Sequence, residues 1–146
     1  MRPVRWEGSW VIRATREEVY AAMADFENWP NLFPRMVKSV RVVSRTISAA
    51  VLEGEFELMG RRGRGLMNIR LKPPAGYDAD NASEELGSEK ETLRFEEVSG
   101  GTLFRWAVDA RPNGIVNHLL GKLFGFYVRM FYERTLITPL RKALEK

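Results

Sequence analysis

Few residues in this chain carry the side chains that most enzymes use. His118 is its sole histidine, and cysteine is absent. No thiolate nucleophile or disulfide framework can form, and no His-based metal site is expected. His118 falls on a helical stripe with Gly114, Gly121 and Gly125, at i, i+4, i+7 and i+11. There it is a polar anchor, an acid/base, or a structural histidine, since no carboxylate partner is evident. Each glycine inside a helix costs about 1 kcal/mol relative to alanine. Either a strand or another chain approaches the stripe closely, or the missing side chains leave room for a ligand. Glu53, Glu55 and Glu57 alternate with Leu52, Gly54, Phe56 and Leu58, so they face water and do not form a catalytic carboxylate pair. No Gly-x-Ser-x-Gly elbow and no His-Glu-x-x-His helix occurs. "GRRGRG" (60–65) lacks the Lys-Ser/Thr ending of a phosphate loop and reads as a hairpin turn.

The elements that hold these residues follow from periodicity. "VRWEGSWVIRA" (4–14) alternates around Trp6, Gly8, Trp10 and Ile12, a strand with an aromatic inner face. Thr15 and Glu18 form a capping-box pattern that opens a helix burying Val19, Ala22, Met23 and Phe26. The aromatic–proline pieces "NWP" and "LFP" follow, with Asn28 as a cap for a second short helix that Pro34 ends. Strands are expected over 36–45, 49–59, 66–72, 91–98 and 102–110. Residues 73–90 read as a polar loop with at most one short edge strand. After Pro112 and Asn113, apolar Val116, Leu120, Leu123, Phe124, Tyr127, Phe131 and Ile137 predict one long helix, loosened at Pro139.

The 146 residues, 45% hydrophobic and 29% charged, suit one globular domain, 1–146, rather than a disordered chain. The N-terminus lacks the apolar run of a secretory signal. "IVNHLLGKLFGFYV" is too short, and too polar at Asn117, His118 and Lys122, to span a bilayer. These features point to a soluble, cytoplasmic protein. The net charge of +4 is unevenly spread. Residues 35–45 and 61–72 are basic without an acid, and 78–91 hold six acids against Lys90. Such a dipolar surface can steer an anionic partner. Nucleic-acid binding is not expected, because aromatic and basic residues do not interleave on one exposed face.

The segments 12–43 and 100–110, with the C-terminal helix, resemble the START-related superfamily (SRPBCC, the helix-grip fold shared with birch-pollen-type allergens). The closer likeness is to its polyketide cyclase/dehydrase-like and coenzyme-Q-binding branch. The resemblance implies an α+β fold in which a curved antiparallel sheet of six to seven strands wraps a long C-terminal helix, with two short helices after the first strand. It also implies a cavity between sheet and helix. Strand parity and helix face then put Trp10, Phe56, Leu58, Met67, Ile69, Phe95, Phe104, Trp106, Phe124, Tyr127 and Phe131 on its wall, and Trp29 and Phe33 at its end. The implied function is binding or transport of a lipid, isoprenoid quinone or aromatic polyketide, with no cofactor or metal. The alternative is a polyketide cyclase/dehydratase-like enzyme in the same cavity, with Tyr127, His118 or Arg105 as its polar group. A third reading has the basic strands and the glycine stripe meeting a membrane surface or a protein partner.

Overall fold

A computed structural model describes residues 3–123 and 125–145. The first strand, β1 (Val4–Ile12), leads into helix α1 (Arg16–Met23) through the capping box. The Glu18 N–H donates to Thr15 Oγ1 at 3.1 Å, and the Thr15 N–H donates to Glu18 Oε1 at 3.4 Å. A 3-10 turn (Phe26–Asn28) and the one-turn helix α2 (Trp29–Leu32) follow. Phe26, Trp29 and Phe33 are buried there, with the Trp29 indole donating to the Met23 carbonyl at 3.1 Å. Asn28 stands at the expected cap position, but its side chain makes no cap bond. Its Oδ1 instead accepts from Asn31 Nδ2 at 3.2 Å.

Among the described residues the chain then forms β2 (Val37–Arg45), β3 (Ala49–Leu58), β4 (Arg61–Lys72), β5 (Gly76–Ser83), β6 (Gly87–Val98) and β7 (Gly101–Arg111). All pairings are antiparallel, in the order β1-β7-β6-β5-β4-β3-β2. Two expectations need correction. The β3–β4 turn is Met59–Gly60, both at positive φ (51° and 86°), a conformation glycine takes without strain. The arginine–glycine run after it is strand. Residues 73–90 are not a loop: they supply all of β5 and the start of β6, in the interior of the sheet. Their Asp and Asn content lowers β propensity, but the outward acids are paired. Asp78 meets Lys72 (3.0 Å) and Arg94 (2.8 Å), and Asp80 meets Arg70 (2.8 Å).

The C-terminal helix is segmented as α3 (Ile115–Leu123), α4 (Gly125–Tyr132), a π-helical turn (Glu133–Ile137) and α5 (Thr138–Leu144). Pro139 lies in the first turn of α5 and cannot donate. The turn before it is overwide, with the Thr138 N–H reaching back five residues to the Glu133 carbonyl. Tyr132, Leu136, Ile137 and Leu140 are buried against the sheet. The first half of the stripe is not: Val116, Leu120, Leu123 and Tyr127 are exposed. The glycines explain this. Gly121 and Gly125 face Trp6 of β1, so glycines take the place against the strand, while Leu120 and Tyr127 stand at the open edge of the space between helix and sheet. Among the described residues no helix is long and apolar enough to cross a membrane.

Candidate functional site

A cavity of about 640 Å3 lies between the concave sheet face and the C-terminal helix. Trp29, Phe33 and Met23 stand at the end formed by the short helices, Phe56 and Leu58 line it from β3, and Met67 lines it from β4. Trp106 reaches it from β7, and Tyr127 and Phe131 cover it from α4. The aromatic–proline connector therefore closes an end that the sheet leaves open.

Four residues expected on the wall pack behind it instead. Ile69, Phe95 and Phe104 are at most 2% exposed, with Phe95 and Phe104 ring centroids 5.1 Å apart. Trp10 is buried beneath Tyr132, and its indole donates to Glu133 Oε1 at 2.6 Å. Phe124 lies outside the described residues. Of the three polar candidates, Tyr127 lines the cavity, while His118 is buried on α3 away from the lining. Arg105 points to the opposite face of the sheet, where it pairs with Glu96 at 3.1 Å.

Sequence reasoning missed the polar groups that do face the cavity. Glu89 and Glu91 of β6 line it, together with Asn81 and Tyr77 of β5 and Tyr132 of α4. Asn81 pairs directly with Glu89 in the sheet and donates Nδ2 to Glu89 Oε1 at 2.8 Å. The Trp106 indole donates to Glu91 Oε2 at 3.0 Å. Tyr132 stacks on Trp106 with centroids 4.1 Å apart and planes 13° from parallel. Burial, reinforced by the Glu89 charge, pushes the Glu91 carboxyl up to about 8, against the lowering effect of its bonds to Trp106 and Asn81. Burial also raises Glu89, Tyr77 and Tyr132. One signal pointed to these acids: extending the parity of Leu93 and Phe95 back along β6 puts Glu91 and Glu89 on the inner face. Among the described residues no three His, Cys, Asp or Glu side chains converge to hold a metal ion.

Residues 3–145 match a family model described as polyketide cyclase/dehydrase and lipid transport. The chain belongs to this family. Among curated proteins no sequence match is found. Solved structures of the START superfamily share its fold. A START superfamily protein from Mycobacterium smegmatis superposes with a TM-score of 0.80 at 14% identity, over 97% of each chain. The Zhui aromatase/cyclase from Streptomyces sp. R1128 gives 0.72 at 15% identity, over 96% of this chain and 93% of that one. The di-domain ARO/CYC BexL from the BE-7585A biosynthetic pathway gives 0.77 at 15% identity over 98% of this chain. This chain spans half the length of that di-domain protein. At such identities the likeness is one of fold, the helix-grip architecture of a curved antiparallel sheet around a C-terminal helix.

Proposed function

We propose that the protein binds a hydrophobic small molecule (a lipid, an isoprenoid quinone or an aromatic polyketide) in the cavity between the sheet and the C-terminal helix. The observation that carries this reading is the cavity itself. It has about 640 Å3 of space and a mostly apolar lining with polar groups gathered on β5 and β6. That is the composition of a small-molecule site. Burying about 300 Å2 of apolar ligand surface is worth roughly 7 kcal/mol before the costs of association.

The exposed half of the C-terminal helix supports a route of entry. Ile115, Leu119, Leu123 and Phe126 present apolar side chains to solvent. Residues 110–132 contain Arg111, Lys122 and Arg129 and no acid. A basic helix with an uncovered apolar face suits transient contact with an anionic membrane surface, from which a hydrophobic ligand is drawn. The test of binding is titration with the neutral fluorophore N-phenyl-1-naphthylamine. Saturable binding near one per chain is expected, and non-saturable partitioning counts against the reading.

One observation favours a second reading, cyclase/dehydratase-like catalysis. Glu91 sits on the cavity wall and holds its proton to about pH 8, as a general acid working near neutrality must. On this reading turnover of a polyketide substrate falls at least about a hundredfold in Glu91→Gln while substrate binding persists. Equal turnover in the variant removes it.

A further inference from the structure

The polar end of the cavity holds more hydrogen-bond acceptors than donors, and that imbalance selects among ligands. Glu89 and Glu91 project from β6 on one face, with Asn81 opposite Glu89 on β5. The Asn81 amide donates to Glu89, and the Trp106 indole donates to Glu91. Among the described residues Asn81 Oδ1 has no hydrogen-bond partner, and neither has the hydroxyl of Tyr132, a residue 6% exposed. That hydroxyl lies within electrostatic reach of Glu91, Tyr77 and Glu89. The groups facing the two carboxyls are Tyr77 and Asn81 from β5, Trp106 from β7 and Tyr132 from α4, none of them a cation. Arg61 is the one cation on the described lining, and it turns to the Glu85 carbonyl at 3.0 Å.

We propose that this end of the cavity receives a protonated amine: the ligand is a hydrophobic amine with its nitrogen among Glu89, Glu91, Asn81 and Tyr132, and its apolar body along Trp29, Phe56 and Phe131. The proposal rests on the reading of the cavity as a ligand site and, of the three ligand classes, takes the lipid and gives it an amine head. Negative charge in a mostly apolar cavity is costly unless something opposite in sign meets it. An ammonium supplies that charge and three donors, and Asn81 Oδ1 and Tyr132 Oη stand ready to accept. A fatty acid or other carboxylate would bring a further negative charge to the polar end, where Arg61, the one cation on the described lining, is turned to the Glu85 carbonyl. The titration of Glu91 reinforces the selection. As Glu91 ionises above about pH 8, the amine gains a further counter-charge.

The experiment is calorimetric titration of the full chain with decylamine, decan-1-ol and decanoate, each below its micellar concentration. At neutral pH the amine is expected to bind about tenfold or more tighter than the alcohol, with decanoate weakest. In the double variant Glu89→Gln, Glu91→Gln the amine falls to within about twofold of the alcohol. On the wild-type chain, which needs no refolded variant, the amine-to-alcohol affinity ratio rises about threefold or more from about pH 7 to about pH 9. Equal binding of the three probes, an amine preference that survives both substitutions, or a ratio flat with pH overturns the proposal and leaves the cavity reading standing. Failure of all three probes to bind overturns both.

Discussion

The indole of Trp6 donates its N–H to the carbonyl of Gly121, 3.1 Å away, and its ring occupies the space where side chains at 121 and 125 would begin. A Cβ at Gly121 would lie 3.0 Å from Trp6 Cζ2, and one at Gly125 would lie 3.0 Å from Trp6 Cδ1. Strand β1 and the C-terminal helix thus meet through the Trp6 ring, which packs on helix backbone left bare by the two glycines. Of the two explanations open for the glycine stripe, close approach by a strand is the one the structure shows at these two positions. The contact fixes the height of the helix over the cavity, because Trp6 and Gly121 both line it.

Gly121→Leu is therefore expected to push the indole aside and break its bond to the helix. Overpacking of this kind costs about 1–3 kcal/mol. Tryptophan emission should shift to the red and the melting temperature should fall. An unchanged spectrum with unchanged stability would remove the role assigned to this contact.

The Glu91 carboxyl gives stability a pH dependence of definite sign. Its folded value, about 8, lies above the ordinary value of 4.5, so the folded chain holds a proton that the unfolded chain releases. The stability from this group is fully present below about pH 4.5 and is lost as pH rises towards 8. Glu91→Gln keeps the shape and removes the titration. At pH 8 the variant should be more stable than wild type by on the order of 4 kcal/mol, the gain shrinking towards pH 5. Urea unfolding at the two pH values checks this, and a gain that grows on acidification contradicts it.

Much of the fold was legible locally. The Thr15–Glu18 box, the Leu52–Phe56 alternation and the Phe104–Trp106–Val108 face each depend on neighbours a few residues away, and each stands where the sequence put it. The β5–β6 pairing was not legible. Asp78, Asp80, Asn81, Glu89 and Glu91 are poor strand formers alone, held extended by partners on other strands. Because the acids hid that pairing, they hid the cavity's polar groups too. Aromatic residues misled in another way. Parity puts Trp10, Phe95 and Phe104 on the inner face correctly, but it cannot separate a side chain lining a space from one packed behind it. The helix stripe failed for a third reason: apolar residues at helical spacing mark a face, but not whether the sheet covers it.

The exposed helix face should matter for membranes and not for folding. Leu123 and Phe126 are 75% and 70% exposed. Leu123→Ser with Phe126→Ser should change stability by about 0.5 kcal/mol or less per site. Sedimentation with phosphatidylglycerol vesicles should fall several-fold, and binding to phosphatidylcholine vesicles should be weak throughout. Undiminished sedimentation of the double variant would exclude this face as the contact.

Arg105 serves as the control for the polar end. It is solvent-facing, paired with Glu96 on the outer sheet face. Arg105→Ala should lower stability by about 0.5 kcal/mol or less, as surface ion pairs do, and leave ligand affinity unchanged. A large loss of affinity would mean that the ligand meets the outer face.

The proposed ligand site is the space between sheet and helix. Val108 is buried on β7 and lines that space. In Val108→Phe the larger ring grows into the cavity rather than into packed core. The decisive measurement is native mass spectrometry of the wild-type chain and Val108→Phe, purified without detergent and offered the same hydrophobic ligands. One ligand per wild-type chain is expected, with an occupancy at least about tenfold lower in a folded Val108→Phe. Equal occupancy in the two chains, or none in either, would contradict it.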